Sequence, residues 1–361
     1  MKKITLLVIV FLSINLYSEI KNDISWYKCL KGKIGNYPVT MHLHKYDKTL
    51  RGYYYYDKYS QPISLFGDVK DDSVMLGAGS NNISESFKGV INKNNFKGTW
   101  NNSDKNTSLE FDLAVDGSLS GMFEYVYVYG TKQIFRGWDG SPQGEYTESS
   151  VWPTDKYPNS SFIRTSICDE KKFPAGSKTI GELMLKNKNN FFAGYMDENK
   201  DLKRSEIEKS DNAYMYSVTD EDNMIIAYFD NKFFVISRMY YTYAGGAHGN
   251  YGTGYTVYDL VNKKKLAVSD ILTVEGIKNM PLVLEKNFRK QYSVDDKMTL
   301  EEYGLFVDTI PVNDNFILTP GGMAFNYVPY EIGSYAGGEV TIYIPMEDIE
   351  KYLVPQIKKL L

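Results

Sequence analysis

Residues 96–113 read FKGTWNNSDKNTSLEFDL, and this stretch decides the fold of the first third of the chain. Aromatic and aliphatic side chains occupy residues 96–100 and 109–113, and the polar run 101–105 separates them. Short apolar runs that are bounded by Asn, Ser and Asp are typical of two strands joined by a turn. The sequence therefore predicts a β-hairpin at this position.

The same pattern repeats on the N-terminal side of this hairpin. Further candidate strands cover residues 39–43, 51–56, 63–66, 73–76 and 86–91. The chain also contains 31 Tyr and 18 Phe residues, and aromatic side chains favour strands. Short strands at regular spacing predict an all-β meander, either a sandwich or a small barrel, over residues 19–130.

Residues 131–160 are rich in Gly, Pro, Ser and Asp, so we interpret them as a linker region between two domains. The second domain, residues 161–361, mixes helices and strands in blocks, which predicts an α+β domain with an antiparallel sheet packed by helices. Candidate elements follow in chain order: a helix over 180–195 capped by Ser177, strands over 213–218, 223–229, 233–243 and 254–260, helices over 274–292 and from Thr299, a hairpin over 316–327, a strand over 339–344 and a helix from Met346. Thr299 and Glu302 have the spacing of a capping box.

The N-terminus predicts export. Lys2 and Lys3 precede an apolar run over residues 4–12, and a small Ser18 comes before Glu19. This order is typical of a signal peptide, residues 1–18, and the run is shorter than the roughly 20 residues of a membrane span. No Cys follows the run, so no lipoprotein anchor is expected. We therefore expect a periplasmic or extracellular protein with no membrane anchor after cleavage.

Charge and cysteine usage limit the function classes. The chain has 41 basic and 45 acidic side chains, and cleavage removes two lysines, which leaves 39 and 45. Basic residues are scattered, whereas nucleic-acid binding needs a concentrated basic face, so no nucleic-acid partner is expected. In an oxidising compartment the two cysteines, Cys29 and Cys168, predict a disulfide. No cofactor or metal is expected.

Two Gly-rich segments end strands in the second domain: YAGGAHG at residues 243–249 and YVPYEIGSYAGG at residues 327–338. Glycines let the backbone approach a ligand closely, and Tyr supplies area for binding. We predict that the two loops lie side by side, with His248 and Glu331 within hydrogen-bonding distance. The alternative is that the glycines serve tight turns and the tyrosines pack. The candidate ligand-binding residues are Gly245, Gly246, His248, Tyr330, Glu331, Tyr335 and Gly337.

These two segments carry a resemblance to a known family. The run Tyr-x-Tyr-x-Gly-Gly-Ala-His-Gly at residues 241–249, then Asp259 and the pair Ser269-Asp270, is similar to the RsiV-type C-terminal domain. The later run Phe-x-Tyr-x-Pro-Tyr-Glu-Ile-x-x-Tyr at residues 325–335, followed by Gly337, is similar to the second signature of that domain. The resemblance covers about residues 215–350, and residues 155–215 are more weakly similar to the segment that precedes the domain.

The resemblance implies an extracytoplasmic α+β module of largely uncharacterised function. In the anti-sigma factor that names the family, the domain binds lysozyme outside the membrane, and in an exported peptidoglycan deacetylase it accompanies a separate catalytic domain. For this chain it implies a cell-envelope binding module whose partner is a lysozyme-like protein or a peptidoglycan fragment. No anti-sigma segment and no deacetylase domain is recognisable here.

A glycan-active hydrolase is the alternative, with Glu331 acting together with Asp259 or His248. Glycosidases use two acids about 5–10 Å apart, and no HExxH, GxSxG or P-loop pattern is present, so no catalytic residue is assigned. Residues 197–208 place oxygen ligands with EF-hand-like spacing, but Leu202 stands where a sharp turn needs Gly. His42 and His44 alternate on one strand and are expected on the surface.

Overall fold

A computed structural model describes residues 25–79, 85–174, 179–210 and 212–361. The predicted signal peptide and the predicted cap Ser177 lie outside the described residues. No helix within those four ranges is long and apolar enough to cross a membrane.

The first eight strands form a closed antiparallel barrel in which each strand pairs with the next and the first pairs with the last. The strands are β1 (Ser25–Ile34), β2 (Tyr37–Tyr46), β3 (Thr49–Tyr56), β4 (Ile63–Lys70), β5 (Ser73–Ala78), β6 (Glu85–Ile91), β7 (Asn95–Asn102) and β8 (Thr107–Val115). Alternate side chains such as Leu50, Tyr54 and Phe96 fill the interior. The all-β meander is confirmed, and it closes as a small barrel.

The next six strands form a second sheet in the order β14-β13-β12-β11-β10-β9. They are β9 (Phe123–Gln133), β10 (Gln143–Pro153), β11 (Val218–Phe229), β12 (Phe233–Tyr243), β13 (Asn250–Asp259) and β14 (Lys264–Leu266). All neighbours are antiparallel except β10 and β11, which are parallel. A three-stranded antiparallel sheet follows, made of β15 (Phe316–Thr319), β16 (Gly322–Tyr327) and β17 (Val340–Pro345).

Helices pack around these two sheets, which confirms the α+β class of the second half. They are α1 (Gly117–Ser120), α2 (Ser160–Glu170), α3 (Gly181–Glu198), α4 (Arg204–Ser210), α5 (Val268–Ile271), α6 (Val274–Tyr292), α7 (Leu300–Tyr303), α8 (Met346–Ile349) and α9 (Pro355–Leu360). The capping box of Thr299 and Glu302 is present. The predicted C-terminal helix from Met346 is interrupted, because α8 ends at Ile349 and α9 begins only at Pro355. The predicted strand 213–218 is largely a 3₁₀ turn over Ala213–Tyr216.

The boundary between the two halves differs from the predicted linker at 131–160. The barrel ends at Val115, and β9 and β10 already belong to the second sheet. Strand β10 is poor in branched side chains, and its Gly, Ser and Pro residues give it a loop-like composition. It is nevertheless buried along most of its length, because β9, β11 and α2 cover it.

The barrel and the helix α2 cover opposite faces of the six-stranded sheet. Ser237 on β12 accepts a hydrogen bond from the barrel residue Tyr53 at 2.9 Å. The next residue, Arg238, donates to the backbone oxygen of Glu170 in α2 at 2.9 Å. Since consecutive strand residues point to opposite faces, the sheet lies between the barrel and α2.

This arrangement explains why the predicted disulfide is not present. Cys29 and Cys168 are both buried, but Cys29 is in the barrel strand β1 and Cys168 is in α2, on the other side of the sheet. Burial raises the pKa of the Cys29 thiol to about 12, so this group stays protonated. The sequence shows that two cysteines exist, but it does not show on which side of a sheet each one packs.

His42 and His44 are buried, which corrects the expectation of surface groups. They point outward from the barrel, but the six-stranded sheet covers that face, and both side chains are 0% exposed. The Tyr27 hydroxyl hydrogen-bonds to His42 Nδ1 at 2.8 Å, and the backbone N–H of Ile226 donates to His44 Nε2 at 3.2 Å. Burial lowers the pKa of both imidazoles, that of His42 to about 3. Both rings are therefore neutral at physiological pH.

Candidate functional site

The two Gly-rich loops contact each other as predicted. The ring of His248, between β12 and β13, stacks on Tyr335 with a centroid separation of 3.9 Å and an interplanar angle of 21°. Tyr335 also contacts Tyr251 edge to face at 5.5 Å, and the Tyr330 hydroxyl lies 3.3 Å from His248 Nε2. We call His248, Tyr251, Tyr330 and Tyr335 the aromatic loop surface.

Glycine conformations allow the loops to meet. Gly245 and Gly246 have φ values of +84° and +96°, in the left-handed region that favours glycine. A Cβ on Gly245 would lie 2.7 Å from the backbone oxygen of Met215, so this turn also needs the small residue for space. In the second loop Ser334 accepts from the N–H of Gly337 at 3.2 Å and fixes a short 3₁₀ turn.

Tyr330 is held in an unusual conformation that displays its ring. Its φ is +71°, which is rare for a bulky side chain, and 55% of the side chain is exposed. Its backbone N–H donates to the Gly333 oxygen at 2.9 Å, which closes the turn. Strained backbone of this kind persists only where the surrounding structure imposes it, and it occurs often at ligand sites.

Glu331 was predicted to hydrogen-bond to His248, but its carboxylate has other partners. One carboxylate oxygen accepts from the Asn313 amide at 2.8 Å, and the other accepts from the Val328 N–H at 3.0 Å. The carboxylate therefore fixes its own loop, while His248 Nδ1 contacts the Gly249 oxygen at 2.9 Å. Tyrosine rings, and not an ion pair, hold the two loops together.

Asp259 lies too far from the Gly-rich loops to act together with Glu331 as the pair of acids of a glycosidase. This residue ends β13, whereas the His248 loop precedes the first residue of the same strand, Asn250. Nine residue steps along a strand span about 30 Å, far beyond the separation that a glycosidase needs. Asp259 is 3% exposed and accepts from the N–H groups of Val261 and Asn262 at 2.9 Å each. It stabilises a turn.

A buried ionic cluster on the α2 face escaped the sequence analysis. Lys171 donates to Glu148 at 3.0 Å and to Asp222 at 2.9 Å, and Arg238 donates to both oxygens of Asp222 at 2.8–2.9 Å. Burial disfavours the charged form of Asp222, but the two cations outweigh it and lower the pKa of this carboxyl. The groups satisfy one another, so the cluster acts as a structural element. The sequence signal was a charged side chain, Glu148, near the middle of β10.

In the part of the chain that the structure describes, no group of three or more His, Cys, Asp or Glu residues has a metal-binding arrangement. In the EF-hand-like stretch, Lys200 pairs with Asp197 at 3.1 Å and Arg204 pairs with Glu208 at 2.8 Å. These ion pairs use the carboxylates that a calcium ion would need.

Comparisons with known proteins identify one segment. Residues 269–347 are similar to the family described as a protein of unknown function, DUF3298, and this segment includes the loop with Tyr330 and Tyr335. The loop that contains His248 precedes the matched residues. A search of curated proteins found no match.

Two crystal structures of DUF3298 proteins match part of this chain. A family member from Bacteroides fragilis has a TM-score of 0.58 and 24% sequence identity, and the match covers 66% of this chain and 96% of that protein. A family protein from Pseudomonas aeruginosa has a TM-score of 0.45 and 15% identity, with coverage of 65% and 96%. The first comparison supports the fold of the shared region and carries no information about a ligand.

Proposed function

We propose that this chain is an exported, envelope-facing binding module that recognises a lysozyme-like protein or a cell-wall glycan at the aromatic loop surface. The observation that carries the proposal is the stack of His248 on Tyr335 beside the exposed ring of Tyr330. Rigid aromatic rings bury a large area with little loss of side-chain entropy, and they often dominate binding energy. The resemblance to the RsiV-type domain supports the location and the partner class.

The binding role can be separated from a purely structural role by substitution. Tyr330→Ala removes exposed ring area from a loop whose turn is fixed by backbone and Glu331 hydrogen bonds. Under the proposal, the variant should bind about 30-fold more weakly, which corresponds to about 2 kcal/mol, while its melting temperature hardly changes. Binding of the mature chain to immobilised lysozyme, and separately to soluble peptidoglycan fragments, is the measurement.

Tyr59→Ala is the matched control. Tyr59 is 57% exposed, close to the 55% of Tyr330, but it follows β3 in the barrel. Tyr59→Ala should leave the binding of both probes unchanged. Equal effects of the two substitutions, or no binding of either probe to the wild-type chain, would contradict the proposal. A purely structural role instead predicts that His248→Ala and Tyr335→Ala lower the melting temperature and leave affinity alone.

A further inference from the structure

A cleft lies between the barrel and the six-stranded sheet, and none of the candidate ligand-binding residues of the sequence analysis lines it. Its volume is about 600 Å³, which is within the range of sites for small organic ligands. Strands β3 and β4 form one wall, β11 to β13 form the floor, and the segment that leads into β17 closes the far side. Tyr251 belongs both to this cleft and to the aromatic loop surface.

Three residues that line this cleft each have one buried polar side-chain atom without a hydrogen-bond partner among the described residues. These atoms are Arg51 Nε, Asn223 Nδ2 and Glu339 Oε1. A buried polar atom with no partner costs about 1–3 kcal/mol, so such atoms are rare in folded proteins. Here three of them belong to residues from three separate parts of the chain that line one cavity. This concentration indicates a site whose hydrogen-bonding capacity the protein itself does not use.

Neighbouring contacts fix the orientation of two of these groups, Asn223 and Glu339. Asn223 is 2% exposed, and its Oδ1 accepts from the Ser149 hydroxyl at 2.6 Å, so its amide nitrogen is the end left unpartnered. Glu339 Oε2 accepts from the Asn326 amide at 3.2 Å, which leaves Oε1 as the unpartnered oxygen. Arg51 leaves β3 on the same outward face as Tyr53, whose hydroxyl bonds to Ser237. Two of the three polar groups are therefore held in place before a ligand binds.

The polarity of the three atoms specifies a ligand chemistry. Arg51 Nε and Asn223 Nδ2 are hydrogen-bond donors, and a carboxylate is the acceptor that a guanidinium prefers. Glu339 Oε1 is a hydrogen-bond acceptor that carries negative charge when the carboxyl is ionised, and an ammonium group is the complementary donor. Ile225, Met239 and other apolar side chains line the rest of the cleft and suit an aliphatic or aromatic portion of the ligand.

We propose that this cleft binds a small zwitterion of the amino-acid or short-peptide class, with its carboxylate on Arg51 and Asn223 and its ammonium group on Glu339. The volume admits such a ligand and excludes a folded protein. Binding would satisfy all three unpartnered atoms. Burial raises the pKa of Glu339, and a bound ammonium group would favour its ionised form. The proposal does not depend on the aromatic loop surface.

The test uses the full chain and two probe sets at millimolar concentration: the free amino acids, and dipeptides with apolar side chains. Thermal shift identifies binders, and calorimetry then compares each binder with its N-acetylated and C-amidated forms. We expect each cap to weaken binding by about tenfold or more, since it removes one charge. Binding of the free amino acids alone indicates an amino-acid ligand, and binding of the dipeptides indicates a short peptide with both ends free.

Specificity changes in variants distinguish binding from folding. Glu339→Gln should abolish the preference for a free ammonium group, and Arg51→Met should abolish the preference for a free carboxylate. Arg136→Met, at an exposed arginine between β9 and β10, is the control and should keep both preferences. Tyr330→Ala should also keep them, which separates this site from the proposed recognition surface. If no probe shifts the melting temperature, or if capped and free forms bind equally, the proposal is wrong and internal water satisfies the three atoms.

Discussion

His42→Gln is expected to flatten the dependence of stability on pH. His42 is 0% exposed, and burial, with a smaller contribution from Lys31, lowers its pKa from the ordinary 6.5 to about 3. Between these two values the unfolded chain binds a proton that the folded chain does not. The free energy of unfolding therefore falls as pH falls from 6.5 towards 3, and the contribution is fully present above 6.5.

The size of the effect follows from the same two pKa values. From about pH 7 to about pH 5, linkage predicts that His42 alone removes about 2 kcal/mol of stability. His44 acts in the same direction, because burial and the neighbouring His42 lower its pKa as well. Carboxylates such as Asp222 also titrate towards low pH, so the useful quantity is the difference between wild type and variant.

Urea unfolding at the two pH values gives the measurement. The pH-dependent loss of stability should be smaller by about 2 kcal/mol in His42→Gln than in wild type. The Gln side-chain oxygen can accept the hydrogen bond of the Tyr27 hydroxyl, which keeps the variant close to native. An unaltered loss in His42→Gln would refute the reasoning.

Three further predictions concern processing and stability. Mass spectrometry of protein recovered from the cell envelope should show a mature N-terminus near Glu19, and a retained residue 1–18 segment would exclude export by cleavage. Lys171→Met should lower the free energy of unfolding by about 3–5 kcal/mol in urea titrations, because it leaves the carboxylate of Glu148 buried without its cation, and a loss below about 1 kcal/mol would show that the cluster is hydrated. Gly98→Ala should destabilise the barrel by at least about 1–3 kcal/mol, since the new Cβ would lie 2.1 Å from a backbone oxygen. Gly194→Ala, in open space on α3, should instead stabilise the protein by up to about 1 kcal/mol. The same sign for both changes in the free energy of unfolding would contradict this account.

The sequence correctly predicted those elements that depend on contacts between residues close together in the chain. The hairpin of β7 and β8, the helix α6 and the capping box at Thr299 all form where the residues indicate. Each depends on side-chain alternation, helical spacing or a cap within a few residues. The contact between His248 and Tyr335 was also predictable, because both loops leave strands of a compact domain.

Contacts between distant segments set the limit of the sequence analysis. Strand β10 has a loop-like composition, and only the parallel pairing with β11, about 75 residues later, makes it a central strand. His42 lies on the outer side of a barrel strand, and nothing nearby in sequence shows that a second sheet covers it. The cleft joins Arg51, Asn223 and Glu339 from positions far apart along the chain.

The outer face of the barrel forms part of the core of the second half. Tyr27, Tyr53 and Tyr55 belong to the same buried cluster as Phe234 and Ile226, whereas the barrel interior forms a separate cluster. Aromatic packing alone would permit sliding between two apolar faces, but directed hydrogen bonds select one position.

Those bonds occur next to the cleft. The barrel residue Tyr53 bonds to Ser237 and to Tyr255 of the sheet, at 2.9 Å each. Within the sheet, Tyr125 bonds to Ser149, which in turn holds Asn223. The contacts that fix the barrel on the sheet therefore also fix the cleft wall. A ligand that enters the cleft meets polar atoms already in place, and it need not bring the barrel and the sheet together.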